Sequence, residues 1–353
     1  MLDPKKQNEL KELLEKSQNP IFFFDNDADG LCSFLLFRRW LGRGKGVAIR
    51  SYPDLDEGYA KRAEELGADA IFVLDKPVLS KAFVKAISEM NLPLIWVDHH
   101  NIQGEDFSEF SNIVSFNSSD GLKKGEASDP VTSMAYRLCG NKEDAWLAMM
   151  GCIADHHLPY FVKEFEEQYP ELWSSNIKEP FDAYYGAEIG KIARSLNFGL
   201  KDSVTNVVAM QNHLISCKSP RDVLAEVSGN RTFRAKYEEV KGRYDALLSK
   251  AENELDGKML FFSYGGETSM SADLSNELSY KHPGVYVIVA FEKGGITNLS
   301  IRGKGVKGIL AEVLKNFEGA SGGGHEDAVG ARIQTQDTAR FHEIFNREIG
   351  NGK

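Results

Sequence analysis

Short, wholly apolar segments alternate with helical patterns between residues 20 and 155, and this alternation constrains the fold more than any other feature. Strands are predicted at 21–25, 47–52, 70–75, 92–98 and 112–117. Helices are predicted at 31–42, 58–67, 79–90, 130–139 and 142–155. Strands that are apolar on both faces and separated by helices are typical of a parallel sheet covered on both sides. The sequence therefore predicts a doubly wound α/β domain.

The rest of the chain predicts a second, smaller domain. A single hydrophobic core rarely serves a chain of 353 residues, so two domains are expected. We assign residues 1–190 to the first domain and residues 258–353, where strands and helices alternate again, to a smaller α/β domain. Residues 191–257 have mainly helical spacing and are interpreted as a helical connector.

Composition limits the classes of function. The formal net charge of -10 argues against a protein that grips long nucleic acid through a broad basic face. No apolar run is long enough to span a bilayer, and residues 1–20 lack the apolar core of a secretory signal. We therefore expect a cytoplasmic protein with no membrane partner. The cysteines, interpreted as reduced and buried thiols, are Cys32, Cys139, Cys152 and Cys217.

Acidic residues and histidines follow three of the predicted strands, at the point where each strand ends. In open parallel sheets ligands bind beyond the carboxyl ends of the strands, so these side chains are expected to gather at one edge. The predicted helix 142–155 ends on a further carboxylate that is able to reach the same edge. The residues concerned are Asp25, Asp27, Asp29, Asp75, Asp98, His99, His100 and Asp155.

So many carboxylates in one place cannot all ionise cheaply unless cations neutralise them. Carboxylate and imidazole ligands without thiolate suit Mn²⁺ or Mg²⁺, with Zn²⁺ as an alternative. Two such ions, about 3.5–4 Å apart, form a device for displacement at phosphorus. A calcium loop is a competing interpretation of Asp-x-Asp-x-Asp-Gly, but its twelfth position is Leu36 instead of Glu. Each single Asp also fits a turn or a helix cap.

Six segments carry a resemblance to a known family. DNDADG, LDKP, VDHHN and GCIADHH occur in the order and spacing of the four motifs of the DHH phosphoesterases, which this sequence resembles. SIRG and SGGGHEDAVG resemble the DHHA1 domain that accompanies them. The DADG form of the first motif is more similar to RecJ-like exonucleases, nano-RNases and their archaeal-type relatives than to pyrophosphatases. The resemblance implies that residues 1–190 are the catalytic DHH domain and 258–353 the substrate-binding DHHA1 domain.

The resemblance implies two metal ions. Asp27 would bind the first ion, Asp29 would bind the second, and Asp75 would bridge both. His99 and Asp155 would complete the ligand shell of the second ion. The family often has a histidine where this chain has Phe23, and Asp25 is the nearby substitute, so the first ion has the less complete ligand set. The predicted metal ligands are Asp25, Asp27, Asp29, Asp75, His99 and Asp155.

The predicted catalytic residues are His100 and Asp98. By resemblance, His100 lies beside the attacked phosphate, where it stabilises charge or protonates the leaving oxygen. Asp98 is expected to orient a histidine. The string Asp-His-His occurs again at 155–157, where only the aspartate is expected to belong to the metal site, and His156 and His157 are interpreted as neighbours that are able to contact substrate.

The resemblance places substrate recognition in the second domain. An arginine is able to hold a phosphate through two parallel hydrogen bonds, and glycine-rich backbone approaches a phosphate closely. A flexible turn is the alternative interpretation of the three consecutive glycines. The predicted substrate-binding residues are Arg302, Lys304, Gly322, Gly323, Gly324 and His325.

Together these observations predict a two-metal-dependent phosphodiesterase that hydrolyses nucleic acid, as an exonuclease on single-stranded DNA or short oligonucleotides. Two Mn²⁺ ions, replaceable by Mg²⁺, are the predicted cofactors. The alternatives are a non-catalytic, replication-associated factor that binds DNA and proteins, and a nucleotide or polyphosphate phosphohydrolase. A homodimer and complexes with replication or repair proteins are open as further partners.

Overall fold

The computed structural model describes residues 2–51, 55–101, 106–122 and 127–351. The chain forms two compact units, Met1–Tyr237 and Glu238–Lys353. The strands of the first unit are β1 (Pro20–Asp25), β2 (Lys45–Ile49), β3 (Ala70–Leu74), β4 (Leu94–Asp98) and β5 (Ile113–Asn117). Its helices are α1 (Pro4–Lys16), α2 (Ala28–Leu41), α3 (Gly58–Glu65), α4 (Lys81–Glu89), α5 (Val131–Cys139), α6 (Ala145–Ala154), α7 (Val162–Gln168), α8 (Glu188–Gly199) and α9 (Val204–Ser216). Helix α10 (Arg231–Glu252) continues from the first unit into the second.

The first unit is built on a five-stranded sheet in which all neighbouring strands are parallel, in the order β2-β1-β3-β4-β5. Successive side chains of β1 enter two different cores. Phe22 and Phe24 pack with helices α1, α2, α5, α6, α8 and α9, whereas Ile21 and Phe23 pack with α3 and α4. Helices therefore cover both faces, and the predicted doubly wound α/β fold is confirmed.

The order of the sheet reverses at β1. Strand β2 lies on one side of β1, and β3, β4 and β5 follow on the other side. Chain crossovers leave β1 and β3 in opposite directions, which opens a crevice beyond their carboxyl ends, where doubly wound proteins bind ligands. Asp25 ends β1 and Asp75 directly follows β3, so the acidic motifs lie at this crevice.

Phe23 is fully buried on the opposite side of the strand from the helices that carry the other motifs. Its ring meets Phe83 edge to face at 5.9 Å and Tyr59 at 5.7 Å, and it shows no exposed surface. This position therefore serves the core under α3 and α4.

The second unit carries a six-stranded sheet. Its strands are β6 (Leu255–Asp256), β7 (Met259–Gly265), β8 (Tyr286–Lys293), β9 (Ile296–Arg302), β10 (Ser321–His325) and β11 (Ala328–Gln334). Its further helices are α11 (Ser271–Lys281), α12 (Val306–Leu314) and α13 (Thr338–Asn351). The order is β10-β11-β9-β8-β7-β6, with only β7 and β8 parallel. The predicted smaller α/β domain is confirmed.

Four further predictions have different outcomes. The flexible turn that was the alternative interpretation of the three consecutive glycines is wrong, because Ser321–His325 forms β10 and pairs in antiparallel register with β11. The domain boundaries at 190 and 257 stay predictions, and side chains of α8 and α9 contribute to the core of the first unit. Among the described residues no helix is long and apolar enough to cross a membrane, and all four cysteines are free thiols.

Candidate metal centre

A carboxylate within the turn after β1 stabilises the start of the next helix. Asp27 caps helix α2, because its Oδ1 accepts a hydrogen bond from the backbone N–H of Gly30 at 2.9 Å. Gly30 packs so closely on β1 that a Cβ at this position would lie 2.5 Å from the carbonyl oxygen of Asp25. Glycine here permits the tight turn that holds three aspartates within five residues.

Asp29 is fixed by the first residues of helix α5. Its Oδ2 and Oδ1 accept hydrogen bonds from the backbone N–H groups of Val131 and Thr132, at 2.9 and 2.8 Å. The side chain is almost completely buried. Each carboxylate oxygen has a second lone pair, so these bonds orient the carboxylate and still leave it able to bind a cation.

Asp75 has a strained backbone. Its φ is +58°, in the left-handed region that non-glycine residues rarely occupy, while its N–H still donates to the carbonyl of Val97 at 2.9 Å. Only 2% of the residue is exposed. Such a conformation persists where the surroundings enforce it, and it is common at functional sites.

Two buried polar atoms face each other without a hydrogen bond. His99 Nε2 lies 3.2 Å from Asp75 Oδ1 and 3.6 Å from Asp155 Oδ2. Among the described residues neither His99 Nε2 nor Asp75 Oδ1 has a hydrogen-bond partner. Buried polar atoms are nearly always satisfied, so this pair calls for a further partner. On the other side of the ring, His99 Nδ1 lies 3.3 Å from Ser128 Oγ, which orients the imidazole.

In the part of the chain that the structure describes, two groups of side chains have ligand atoms close enough to share one cation. The first is Asp75, His99 and His100, and the second is Asp29, His99 and Asp155. The structure thus brings together four of the six predicted metal ligands. We call Asp29, Asp75, His99 and Asp155 the histidine half of the centre.

Of the other two predicted ligands, Asp27 shares a side-chain hydrogen bond with Asp75, and Asp25 lies beside a lysine that the sequence interpretation did not assign. Lys76 Nζ lies 3.2 Å from Asp25 Oδ1 and 3.2 Å from the carbonyl oxygen of Ser51, and the Lys76 side chain is only 3% exposed. The signal was available, since this lysine stands in the LDKP segment at the end of a buried strand. We call Asp25, Asp27 and Lys76 the lysine half.

His100 is paired with Asp98, as predicted for a carboxylate that orients a histidine. His100 Nδ1 lies 2.8 Å from Asp98 Oδ1, and the backbone N–H of His100 donates to Asp98 Oδ2 at 3.3 Å. Asp98 is buried, whereas a third of the His100 side chain is exposed. Asp98 therefore holds the His100 ring at Nδ1, and Nε2 lies on the opposite edge of the ring.

Burial and mutual repulsion shape the protonation of the centre. Burial, together with the charges of Asp25 and Asp29, raises the pKa of Asp27 to about 7. Burial and neighbouring carboxylates also raise the pKa values of Asp75 and Asp155 well above the ordinary value. Carboxyl groups that resist ionisation in the metal-free protein are those that a cation would relieve.

The pKa values of the two histidines in the first DHH motif, His99 and His100, shift in opposite directions. Burial lowers the pKa of His99, which favours the neutral imidazole that binds metals. Burial also disfavours the charged form of His100, but the hydrogen bond and charge of Asp98, with the charges of Asp27 and Asp29, outweigh it and raise the pKa of His100. One ring is thus suited to bind a metal and the other to carry a proton.

The second DHH string contributes unequally. Asp155 follows α6 and reaches the histidine half. The ring of His156, a residue with φ +55°, is tilted against the ring of Phe181 with centroids 4.2 Å apart, and His157 Nε2 lies 3.7 Å from Asp129 Oδ1. The suggested contact of these two histidines with substrate stays a prediction.

In the second unit, two of the predicted substrate-binding residues share one row of the sheet. His325 pairs with Ala328 across β10 and β11, and Ala328 pairs with Arg302 across β11 and β9. Directly paired residues project on the same face, so His325 and Arg302 flank the small Ala328, about 10 Å apart at their backbones. Asn276 Oδ1, which the sequence interpretation missed, accepts from Arg302 Nε at 2.6 Å.

Lys304 follows the end of β9, and its carbonyl accepts a hydrogen bond from the Tyr286 hydroxyl at 3.1 Å. The predicted glycines of this set, Gly322, Gly323 and Gly324, lie exposed on β10 beside the His325 and Arg302 row. The assignment of all six residues to substrate binding stays a prediction.

Comparisons with known proteins identify the fold. No protein-family model and no curated protein matches the sequence. RecJ from Thermus thermophilus, solved in complex with Mn²⁺, aligns with a TM-score of 0.67 at 14% identity, over 100% of this chain and 56% of RecJ. The present chain thus spans little more than half of that protein.

Two further structures extend the comparison. A DHH domain from a member of a ribosomal protein family aligns with a TM-score of 0.66 at 14% identity, over 98% of this chain and 89% of the other. CDC45 from Entamoeba histolytica gives 0.52 at 10% identity, over 98% of both chains. The DHH fold implied by the sequence motifs is therefore confirmed, whereas the archaeal-type affinity stays a prediction.

Proposed function

We propose that this chain, which has the fold of the DHH/DHHA1 phosphoesterases, is a metal-dependent phosphodiesterase that removes nucleotides from the ends of single-stranded DNA or short oligonucleotides. The observation that carries the proposal is the histidine half. There, two triads of potential metal ligands, one of Asp75, His99 and His100 and one of Asp29, His99 and Asp155, share His99 at the sheet crevice, and two of their buried atoms lack a hydrogen-bond partner among the described residues.

The donors of the histidine half fit Mn²⁺ or Mg²⁺. Asp29, Asp75 and Asp155 offer carboxylate oxygens and His99 offers an imidazole nitrogen, a set that suits these cations and leaves room for water or substrate. A bound ion would lower the pKa of water and neutralise charge on a phosphate. RecJ, with the same fold, was solved with manganese and with magnesium. The two-ion arrangement additionally requires the lysine half.

His100 and Asp98 supply the proton chemistry. The imidazolium, held at Nδ1 by Asp98, directs Nε2 towards the scissile phosphate. Water adds to phosphorus, the P–O bond to the neighbouring nucleotide breaks, and His100 gives the Nε2 proton to the leaving oxygen. The proton released by the attacking water then restores the imidazolium, so that the reaction consumes one water molecule per bond.

Substrate recognition falls to the second unit. Arg302, whose Nε donates to Asn276 Oδ1 and whose Nη1 donates to the Ile301 carbonyl oxygen, supplies a guanidinium charge for a phosphate, and His325 on the same row adds a donor. The net charge of -10 favours short contacts with chain ends over a long electrostatic grip. Exposed glycine backbone on β10 permits close approach of a nucleotide.

The likeness to CDC45 keeps a second candidate, a replication-associated factor that binds DNA and proteins without hydrolysis. One assay separates the two. The metal-free protein is supplied with Mn²⁺ and with DNA or RNA labelled at either end, from dinucleotides to about thirty nucleotides. Pyrophosphate, polyphosphate and a 3′-phosphorylated adenosine nucleotide are tested in parallel, and Asp75→Asn is the control.

We expect mononucleotides to be released by the unchanged protein and not by Asp75→Asn. Binding of single-stranded DNA without hydrolysis in both proteins would favour the non-catalytic factor. Release of phosphate from the small phosphorylated compounds alone would place the protein among the phosphohydrolases.

A further inference from the structure

We infer that the Lys76 ammonium occupies the place of one of the two predicted metal ions, so that the centre binds one divalent ion tightly and a second only weakly. The inference rests on the proposed metal-dependent function, and it concerns how many ions this chain holds and which residue decides it. Lys76 is thereby assigned as a residue that controls metal occupancy.

The position of Lys76 is built into the fold. Its side chain is 3% exposed, and its Nζ lies 3.2 Å from both Asp25 Oδ1 and the carbonyl oxygen of Ser51. Its backbone is fixed as well, because the indole N–H of Trp96 donates to the Lys76 carbonyl at 2.8 Å. A buried ammonium keeps its partners, since removing them would leave an uncompensated charge.

The lysine half has few donors left for a metal. Asp25 is engaged by Lys76, and Phe23, where a histidine ligand would stand, is sealed in the core under α3 and α4. Asp27 remains, with one oxygen already bonded to the Gly30 N–H, and it would have to share Asp75 with the histidine half. Mn²⁺ and Mg²⁺ prefer about six ligands, so water would have to supply most of this shell.

The positive charge of Lys76 also disfavours a divalent ion in the lysine half. An ammonium at Asp25 already neutralises part of the acidic cluster, and it repels a divalent ion that approaches the same carboxylate. The histidine half, in contrast, has two buried atoms, Asp75 Oδ1 and His99 Nε2, that lack a hydrogen-bond partner among the described residues. Divalent cations are therefore expected to fill the histidine half first.

The test is manganese stoichiometry, measured on the full metal-free chain by calorimetric titration and by electron paramagnetic resonance. We expect the unchanged protein to bind one Mn²⁺ tightly, with a second at least about 100-fold weaker, the range by which one neighbouring charge shifts an ionisation equilibrium. Its spectrum should be that of an isolated ion. In Lys76→Met the second ion should bind within about tenfold of the first, with a spin-coupled spectrum.

Two matched variants test whether the charge of Lys76, and not the loss of any lysine, controls metal binding. Lys76→Arg keeps a cation and should still bind a single tight ion, and Lys85→Met removes an exposed lysine of α4 and should change nothing. Thermal unfolding verifies that each variant folds, and Lys76→Gln replaces Lys76→Met if the latter does not.

Two tight, spin-coupled ions in the unchanged protein would overturn the inference, as would a single tight ion in both Lys76→Met and Lys76→Gln. The readout is independent of hydrolysis. A protein that binds one tight ion but releases no nucleotide would refute the proposed function and leave the role of Lys76 standing. A protein that binds no Mn²⁺ would overturn both.

Discussion

The histidine half and the lysine half are built from the same kind of strand end, yet they differ in what balances their carboxylates. In the lysine half the protein supplies its own cation, 3.2 Å from Asp25. In the histidine half, Asp75 and His99 face each other at 3.2 Å with no hydrogen bond, and burial holds the pKa of Asp75 high.

This difference shows that the number of carboxylates in an acidic cluster does not give the number of metal ions that the cluster binds. One buried lysine changes a candidate ligand into a member of an ion pair. Within this cluster the unsatisfied buried atoms, and not the total of acidic residues, indicate which side chains are available to bind a cation.

The largest effect is expected for Asp75→Asn. The change removes a ligand from the centre of the histidine half, so nuclease activity with saturating Mn²⁺ should fall by more than about 1,000-fold. The same change removes a buried carboxylate from a repulsive cluster, so the metal-free protein should unfold at a higher temperature. Nucleotide release and calorimetry measure the two effects. Retained activity, or a clear loss of metal-free stability, would identify Asp75 as a structural residue.

The next effect concerns the proton carrier. His100→Gln should reduce kcat by about 100-fold or more, the usual contribution of a general acid. Asp98→Asn should cost about 10- to 100-fold and remove the interaction that raises the pKa of His100, so the alkaline limb of the pH profile should move to lower pH. An Asp98→Asn profile with an unchanged alkaline limb would show that His100 is not the acid.

A pair of substitutions compares the two halves directly. Asp155→Asn should weaken Mn²⁺ binding by about 10- to 100-fold and leave metal-free stability equal or higher. Asp25→Asn should do the opposite, with little change in Mn²⁺ affinity but lower stability, because Lys76 loses its counter-ion. The stability loss should stay below the about 3–5 kcal/mol of a fully buried pair, since the Asp25 side chain is 32% exposed. Equal effects in both variants would erase the distinction between the halves.

The smallest effect is a change of stability with pH. The pKa of Asp27 rises from 3.8 to about 7 and those of Asp75 and Asp155 also rise, so the folded metal-free protein binds more protons than the unfolded chain. Its stability should therefore increase as the pH falls from about 8 to 6.5. Below 6.5 the lowered pKa of His99 acts in the opposite direction.

Saturating Mn²⁺ should remove the gain between about pH 8 and 6.5, or reverse it, because metal binding requires the deprotonated ligands. The measurement is Tm at both pH values, with and without Mn²⁺. Metal-free stability that is flat or rises with pH in this window would mean that the carboxylates do not repel each other in the folded chain.

The sequence predicted the parts of this centre that follow from periodicity and topology. Apolar strands such as 21–25 and 70–75 predict the sheet, and the rule that ligands gather at the carboxyl ends predicts the proximity of His99 to Asp75 and of His99 to Asp29. The pairing of Asp98 with His100 was also anticipated, because a carboxylate that orients a histidine is a common arrangement.

Other features lay beyond the sequence for identifiable reasons. Backbone N–H groups occur at nearly every residue and carry no sequence signal. The sequence therefore could not predict that the N–H groups of Val131 and Thr132 donate hydrogen bonds to the Asp29 carboxylate. Consecutive glycines disfavour strands, yet Ser321–His325 forms β10 because its neighbour β11 provides an edge to pair with. A lysine is usually exposed, so Lys76 was not expected to be buried beside a predicted metal ligand.

The most direct test of the account is the position of manganese in a crystal of the full chain, located by anomalous scattering at the Mn edge. At Mn²⁺ concentrations that fill only tight sites, we predict one strong peak within about 2.3 Å of His99 Nε2 and Asp75 Oδ1, with Lys76 still bonded to Asp25. A principal peak between Asp25 and Asp27, or two peaks of equal height with Lys76 displaced, would contradict it.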